Sequence, residues 1–131
     1  MSIKIGLLGF GTVASGIPFL LKENGEKVLA ASRDQLEIAK VLVKDDEEKN
    51  RLIAAGNDYN FVTNVDEILN DDEIQIVVEL MGRIEPARTF ITKALEAGKN
   101  VVSANQDLIA TPGKALISLA HAMGVAFYYK A

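Results

Sequence analysis

Apolar and polar positions follow two rhythms along the chain, one of period two and one of period near 3.6. Ile3-Lys4-Ile5-Gly6-Leu7-Leu8 is short, mostly apolar and ended by glycine, the mark of a buried strand. Thr12 to Glu23 puts Val13, Ile17, Leu20 and Leu21 on one helical face, and Pro18 either kinks that helix or moves its start toward Ser15. Asn24 to Gln35 has no period and reads as a loop. Leu36 to Val43 reads as a strand, Asp46 to Ala55 as a charged helix, and Phe61-Val62 as a short strand. A helix over Asn64 to Leu69 opens with Asn64 as cap and Glu67 three positions on, the pattern of a capping box. Ile74 to Leu80 is the strongest strand, nearly continuous in β-branched apolar residues, as in parallel strands covered on both faces. Glu85 to Ala97 reads as a helix with Pro86 at its first position and Gly98 just past its end. Asn100 to Ser103 is a strand, Thr111 to Met123 a helix, and Val125 to Tyr129 a last strand.

Strands and helices therefore alternate from end to end, without an internal repeat, a low-complexity segment or an interdomain linker. That order predicts an α/β doubly wound parallel sheet of about six strands in three α/β/α layers, with residues 1–131 as one domain. Composition agrees: of 131 residues, 49% are hydrophobic and 24% charged, as in an ordinary globular domain. With no cysteine and a single histidine, His121, thiolate chemistry and a multi-histidine metal centre are excluded. His121 reads as an ordinary helix residue, and Tyr128 and Tyr129 as packing or subunit-surface residues. The net charge is −4, with no basic stripe, so no nucleic-acid partner is expected. No apolar stretch approaches membrane-spanning length and no leader pattern is seen, so the expectation is a cytoplasmic protein with no membrane partner.

The first strand and first helix meet in Gly9-Phe10-Gly11-Thr12-Val13-Ala14, a GxGxxA. Gly9 permits the tight turn, Gly11 lets a pyrophosphate approach the backbone, and Ala14 keeps the helix close to the sheet. Helix N-terminal amides and the helix dipole favour the same anion. Strand before, helix after and position near the N-terminus fit a Rossmann-like dinucleotide-binding unit.

The end of the second strand ordinarily selects between NAD and NADP. Here Lys44, with Lys49 or Arg51, favours the 2′-phosphate of NADP, whereas Asp45 favours the ribose hydroxyls of NAD. A solvated loop is the third reading of Lys44 to Lys49. Lys44 tilts the expectation modestly toward NADP. Further along, Gly82 and Arg83 follow the fourth strand and Ser103-Ala104-Asn105-Gln106 the fifth, where the crevice of an open sheet lies. Asn105 suits either that crevice or the cap of the next helix.

Taken together, IGLLGFGTVASG at 5–16, KVLVKD at 40–45, VVELMGRIEPA at 77–87 and ALEAGKNVVSANQDLIA at 94–110 resemble the N-terminal half of homoserine dehydrogenase. The first block is shared by many dehydrogenases, while the third and fourth are far more particular. The resemblance implies reversible reduction of aspartate 4-semialdehyde to homoserine with NAD(P)H, on the way to threonine, isoleucine and methionine. It implies that the loop from Gly9 through Phe10 to Ala14 holds the pyrophosphate and that Lys44 meets the adenosine ribose or its phosphate. Gly82, Ser103, Asn105 and Gln106 would then line the nicotinamide side. Two positions depart from the family pattern: Gln106 stands where a lysine is usual, and Arg83 where a second glycine is usual. Glutamine donates a hydrogen bond but carries no positive charge and cannot serve as the same proton donor.

The family's substrate-binding and dimerisation domain has no counterpart in these residues. The expectation is thus a chain that binds cofactor without turning over substrate, which it would meet only with the second domain, and that self-associates weakly through an uncovered apolar surface. Two alternatives remain: a stand-alone NAD(P)-binding regulatory or sensor module, and the first domain of another amino-acid dehydrogenase, such as an aspartate dehydrogenase.

Overall fold

The computed structural model describes residues 2–9, 35–56, 59–81, 85–103 and 111–129. The helix expected over 12–23 and most of the loop expected from 24 lie outside them. Six strands form one all-parallel sheet: β1 (Ser2–Leu8), β2 (Gln35–Leu42), β3 (Phe61–Val62), β4 (Ile74–Glu79), β5 (Asn100–Ser103) and β6 (Phe127–Tyr129). Their order is β3-β2-β1-β4-β5-β6, which reverses direction between β1 and β4. The described helices are α1 (Asp46–Ala54), α2 (Asp66–Leu69), α3 (Ala87–Glu96) and α4 (Thr111–Met123).

The sheet is covered because its strands are apolar on both faces. On one face Leu8, Val77 and Val101 pack with Ile68 and Leu69 of α2, Ala87, Ile91, Ala94 and Leu95 of α3, and Leu116 and Ala120 of α4. On the other, Ile5, Leu7, Val41, Val43, Ile76, Val78 and Val102 form a second buried cluster, with Leu52 of α1 packed against it. Tyr128 packs there too, whereas His121 is exposed on α4. The fit of α2 onto β1 depends on Gly6: a Cβ there would stand 2.5 Å from Cγ2 of Ile68, too close for a buried branched side chain to accommodate without a shift.

Several element boundaries differ from those expected from the pattern, each for a local reason. Gln35 opens β2 rather than ending a loop, because it pairs in register with Ser2. The capping box at Asn64 does not form. The Asn64 side chain accepts from the Asp66 amide, its backbone carbonyl accepts from Glu67, and the helix begins only at Asp66. Pro86 occupies the cap position of α3, one residue before the place expected, and Glu85 lies outside the helix. Gly98 does follow the helix, with φ +81°, and the Lys99 and Gly98 amides close onto the Ala94 and Leu95 carbonyls. The same closure after α4 uses the Val125 amide, which donates to Ala120, so β6 starts at Phe127 and not at Val125.

Candidate functional site

Parallel register brings one rung of residues to the carboxyl end of all six strands: Val62, Leu42, Leu8, Glu79, Ser103 and Tyr129. The ladder then continues by single bonds. Gly9 donates to the Leu42 carbonyl at 3.0 Å, Val43 to Val62 at 2.8 Å, and Leu80 to Leu8 at 2.9 Å. These contacts hold the exits of β1, β2, β3 and β4 side by side at the point where the strand order reverses, where open α/β sheets place their ligands.

A cleft of about 550 Å³ opens there. Its floor is Gly9, Leu42, Val43, Leu80 and Met81; Lys44, Glu48, Thr63 and Val65 form one wall, and Pro86 and Phe90 another. Gly9 has φ +94°, a backbone conformation that disfavours any Cβ, and its position beside Met81 keeps the turn pressed against the exit of β4. Of the loop expected to hold a pyrophosphate, Gly9 is thus placed in the cleft, whereas Phe10, Gly11, Thr12, Val13 and Ala14 lie outside the described residues. So do Gly82, Arg83, Asn105 and Gln106.

The two residues weighed as selectors of the cofactor ribose have different situations. Asp45 is the cap of α1: its carboxylate accepts from the Glu48 amide at 2.9 Å, and its carbonyl from Lys49. Lys44 is exposed and lines the cleft, one turn of chain from Glu48, which lines it as well. The remaining acids of the first turn, Asp46 and Glu47, complement the helix dipole.

Ser103 is 1% exposed, and its hydroxyl donates to Oε1 of Glu79 at 3.0 Å. Glu79, fully buried, also accepts through Oε2 from the backbone N–H of Met81. Pattern reading passed over Glu79 as the tail of an apolar strand. The signal was there: one acid ending a run of Ile and Val, at the rung facing the crevice. Just before α3, Glu85 accepts from Arg88 Nε at 2.8 Å and Thr89 Oγ1 at 2.6 Å. The Thr89 hydroxyl, and after it Arg88, holds the Glu85 carboxyl below its usual pKa. Among the described residues no cluster of acids and histidine suits a metal ion, and no helix is long and apolar enough to cross a membrane.

Comparison with known proteins gives a consistent picture. A family model for the NAD-binding domain of homoserine dehydrogenase matches residues 9–130. The homoserine dehydrogenase of Lactococcus lactis is 51% identical over 131 residues, all of this chain and 31% of that protein. That of Bacillus subtilis is 34% identical over 130 residues, covering 99% of this chain and 30% of the relative. A crystal structure of the S. aureus homoserine dehydrogenase superposes with a TM-score of 0.78 at 38% identity, over 98% of this chain and 32% of that one. The chain spans about a third of the length of these relatives.

Proposed function

We propose a function from one premise: the chain belongs to the homoserine dehydrogenase family and carries that family's NAD-binding domain. Its residues 1–131 act as one dinucleotide-binding unit. The turn at Gly9 and the loop through Ala14 receive the pyrophosphate, and Gly82, Ser103, Asn105 and Gln106 belong to the nicotinamide side. The described geometry fits such a ligand, since a glycine turn at positive φ, an apolar floor and an exposed lysine converge on one cleft at the reversal of the sheet.

Lys44 favours NADP over NAD. The observation that carries this reading is the commitment of Asp45 to the α1 cap, which leaves Lys44 as the residue of the pair that lines the cleft. A lysine ammonium suits a ribose phosphate as a point charge. Glu48 on the same wall accepts hydrogen bonds from ribose hydroxyls and keeps some affinity for NAD.

When bound, the nicotinamide supplies a hydride at its C4, and in the whole enzyme the acceptor would be the aldehyde carbon of aspartate 4-semialdehyde. This chain's residues bind and orient the cofactor. The groups that hold substrate belong to the remaining two thirds of the relatives' length, so this chain alone binds without turnover, in the cytoplasm. Calorimetric titration with NADPH and NADH in parallel tests the reading. Saturable binding of both, with NADPH about tenfold tighter, is expected. Tighter NADH would remove the role given to Lys44, and no binding of either would overturn the proposal.

A further inference from the structure

We infer that Glu79 is a positioning residue for the nicotinamide half of the bound cofactor, an inference that rests on the dinucleotide-binding reading above. β4 is otherwise apolar at its buried positions, Ile74, Ile76, Val77 and Val78, yet its last residue is a carboxylate with no exposed surface. Such a group is costly to bury unless its oxygens are satisfied. Here each oxygen reaches a different chain exit: Oε1 takes the Ser103 hydroxyl at the end of β5, and Oε2 takes the Met81 amide just past β4.

Those exits lead directly into 82–84 and 104–110, the stretches that carry Gly82, Asn105 and Gln106. Met81 in turn lies against the Gly9 turn. Glu79 therefore ties the exit of β4 at Met81 to the exit of β5 at Ser103, the residue assigned above to the nicotinamide side. The adenosine wall, with Lys44 and Thr63, is built from the exits of β2 and β3, and β1 stands between β2 and β4. Loss of the Glu79 bridge should loosen one half of the site and leave the other.

Two ligands separate the halves: NADPH, which spans the site, and adenosine 2′,5′-bisphosphate, which fills only the adenosine end. Glu79→Leu keeps the volume and removes both acceptors. It should weaken NADPH by about tenfold while changing the bisphosphate by less than about twofold. Glu79→Gln should restore NADPH to within about threefold, because its amide oxygen accepts from Met81 and its NH₂ donates to the Ser103 hydroxyl. If the leucine variant does not fold, Ser103→Ala takes its place, with about a threefold loss expected for NADPH and none for the bisphosphate. Equal weakening of both ligands, no weakening of NADPH, or failure of glutamine to restore binding would overturn the inference. A wild-type chain that binds the bisphosphate but not NADPH also overturns it, whereas one that binds neither overturns the proposed function itself.

Discussion

Lys99 and Lys44 stand at opposite ends of the same sheet. Lys99, just before β5, is 5% exposed, and its Nζ donates to the carbonyls of Asp71 and Ile74 at 2.8 and 2.7 Å. Two more lysines converge on the same turn: Lys40 pairs with Asp71 at 3.1 Å and donates to the Glu67 carbonyl, and Lys4 pairs with Glu73 at 2.7 Å. At the carboxyl end Lys44 is exposed in a cleft, beside a neighbour whose charge is absorbed by a helix cap. One end spends its cations on closing the start of β4, the other leaves a cation facing solvent. The lesson is that residue type does not distinguish a structural from a ligand-facing charge. Strand polarity does, because every β-to-α turn of a parallel sheet exits on one side.

The largest break in this contrast is expected at Gly9. Gly9→Val forces a β-branched residue to φ +94°, a strain of about 1–3 kcal/mol. Its thermal midpoint should fall and NADPH should bind at least about tenfold more weakly. Unchanged affinity would remove this turn from the site.

Lys99→Met tests the closed end. Both carbonyls lose the ammonium, although that of Asp71 keeps the Ile74 amide, so urea unfolding should show a loss of about 1–3 kcal/mol, with NADPH affinity within about twofold. Burial lowers the Lys99 pKa below 10.5. The unfolded chain therefore holds more protons as pH approaches 10.5 from below, and the site's contribution to stability rises with pH across that interval. The methionine variant should lack this rise.

Lys44→Glu reverses the charge at the open end. Stability should stay within about 0.5 kcal/mol, since the side chain is exposed, while the preference for NADPH over NADH falls by about tenfold. Parallel titrations of the two cofactors read this directly.

The smallest effect belongs to Asp71→Asn, about 0.5–1 kcal/mol at neutral pH. The Glu73 amide, and after it Lys40, holds the Asp71 carboxyl below 3.8. A lowered carboxylate stabilises the fold above its unfolded pKa, and that contribution disappears as pH falls through the lower folded value. Acid titration of the asparagine variant should show a shallower loss below pH 3.8.

What could be read in the sequence divides along the same physical line. Phe61–Val62, Asn100–Ser103 and Thr111–Met123 match their expected bounds, because apolar period and local breakers suffice to set them. The GxGxxA turn was legible at Gly9 because backbone geometry alone demands glycine there. Cap chemistry was harder: Asn64 and Pro86 each have more than one local use, and the packing of α2 and α3 decides between them. The burial of Lys99 and Glu79 depends on neighbours distant in the chain. Lys99 finds its acceptors 25 and 28 residues away, and Ser103 lies 24 from Glu79. No local pattern contains such pairs.

Amide hydrogen exchange with and without NADPH is the most direct test of where ligand binds. The account predicts added protection at Gly9, at 43–48 and at 80–82, with none in the lysine-gripped turn at 71–74. Protection centred on 71–74, or none at the carboxyl end under saturating NADPH, would contradict it.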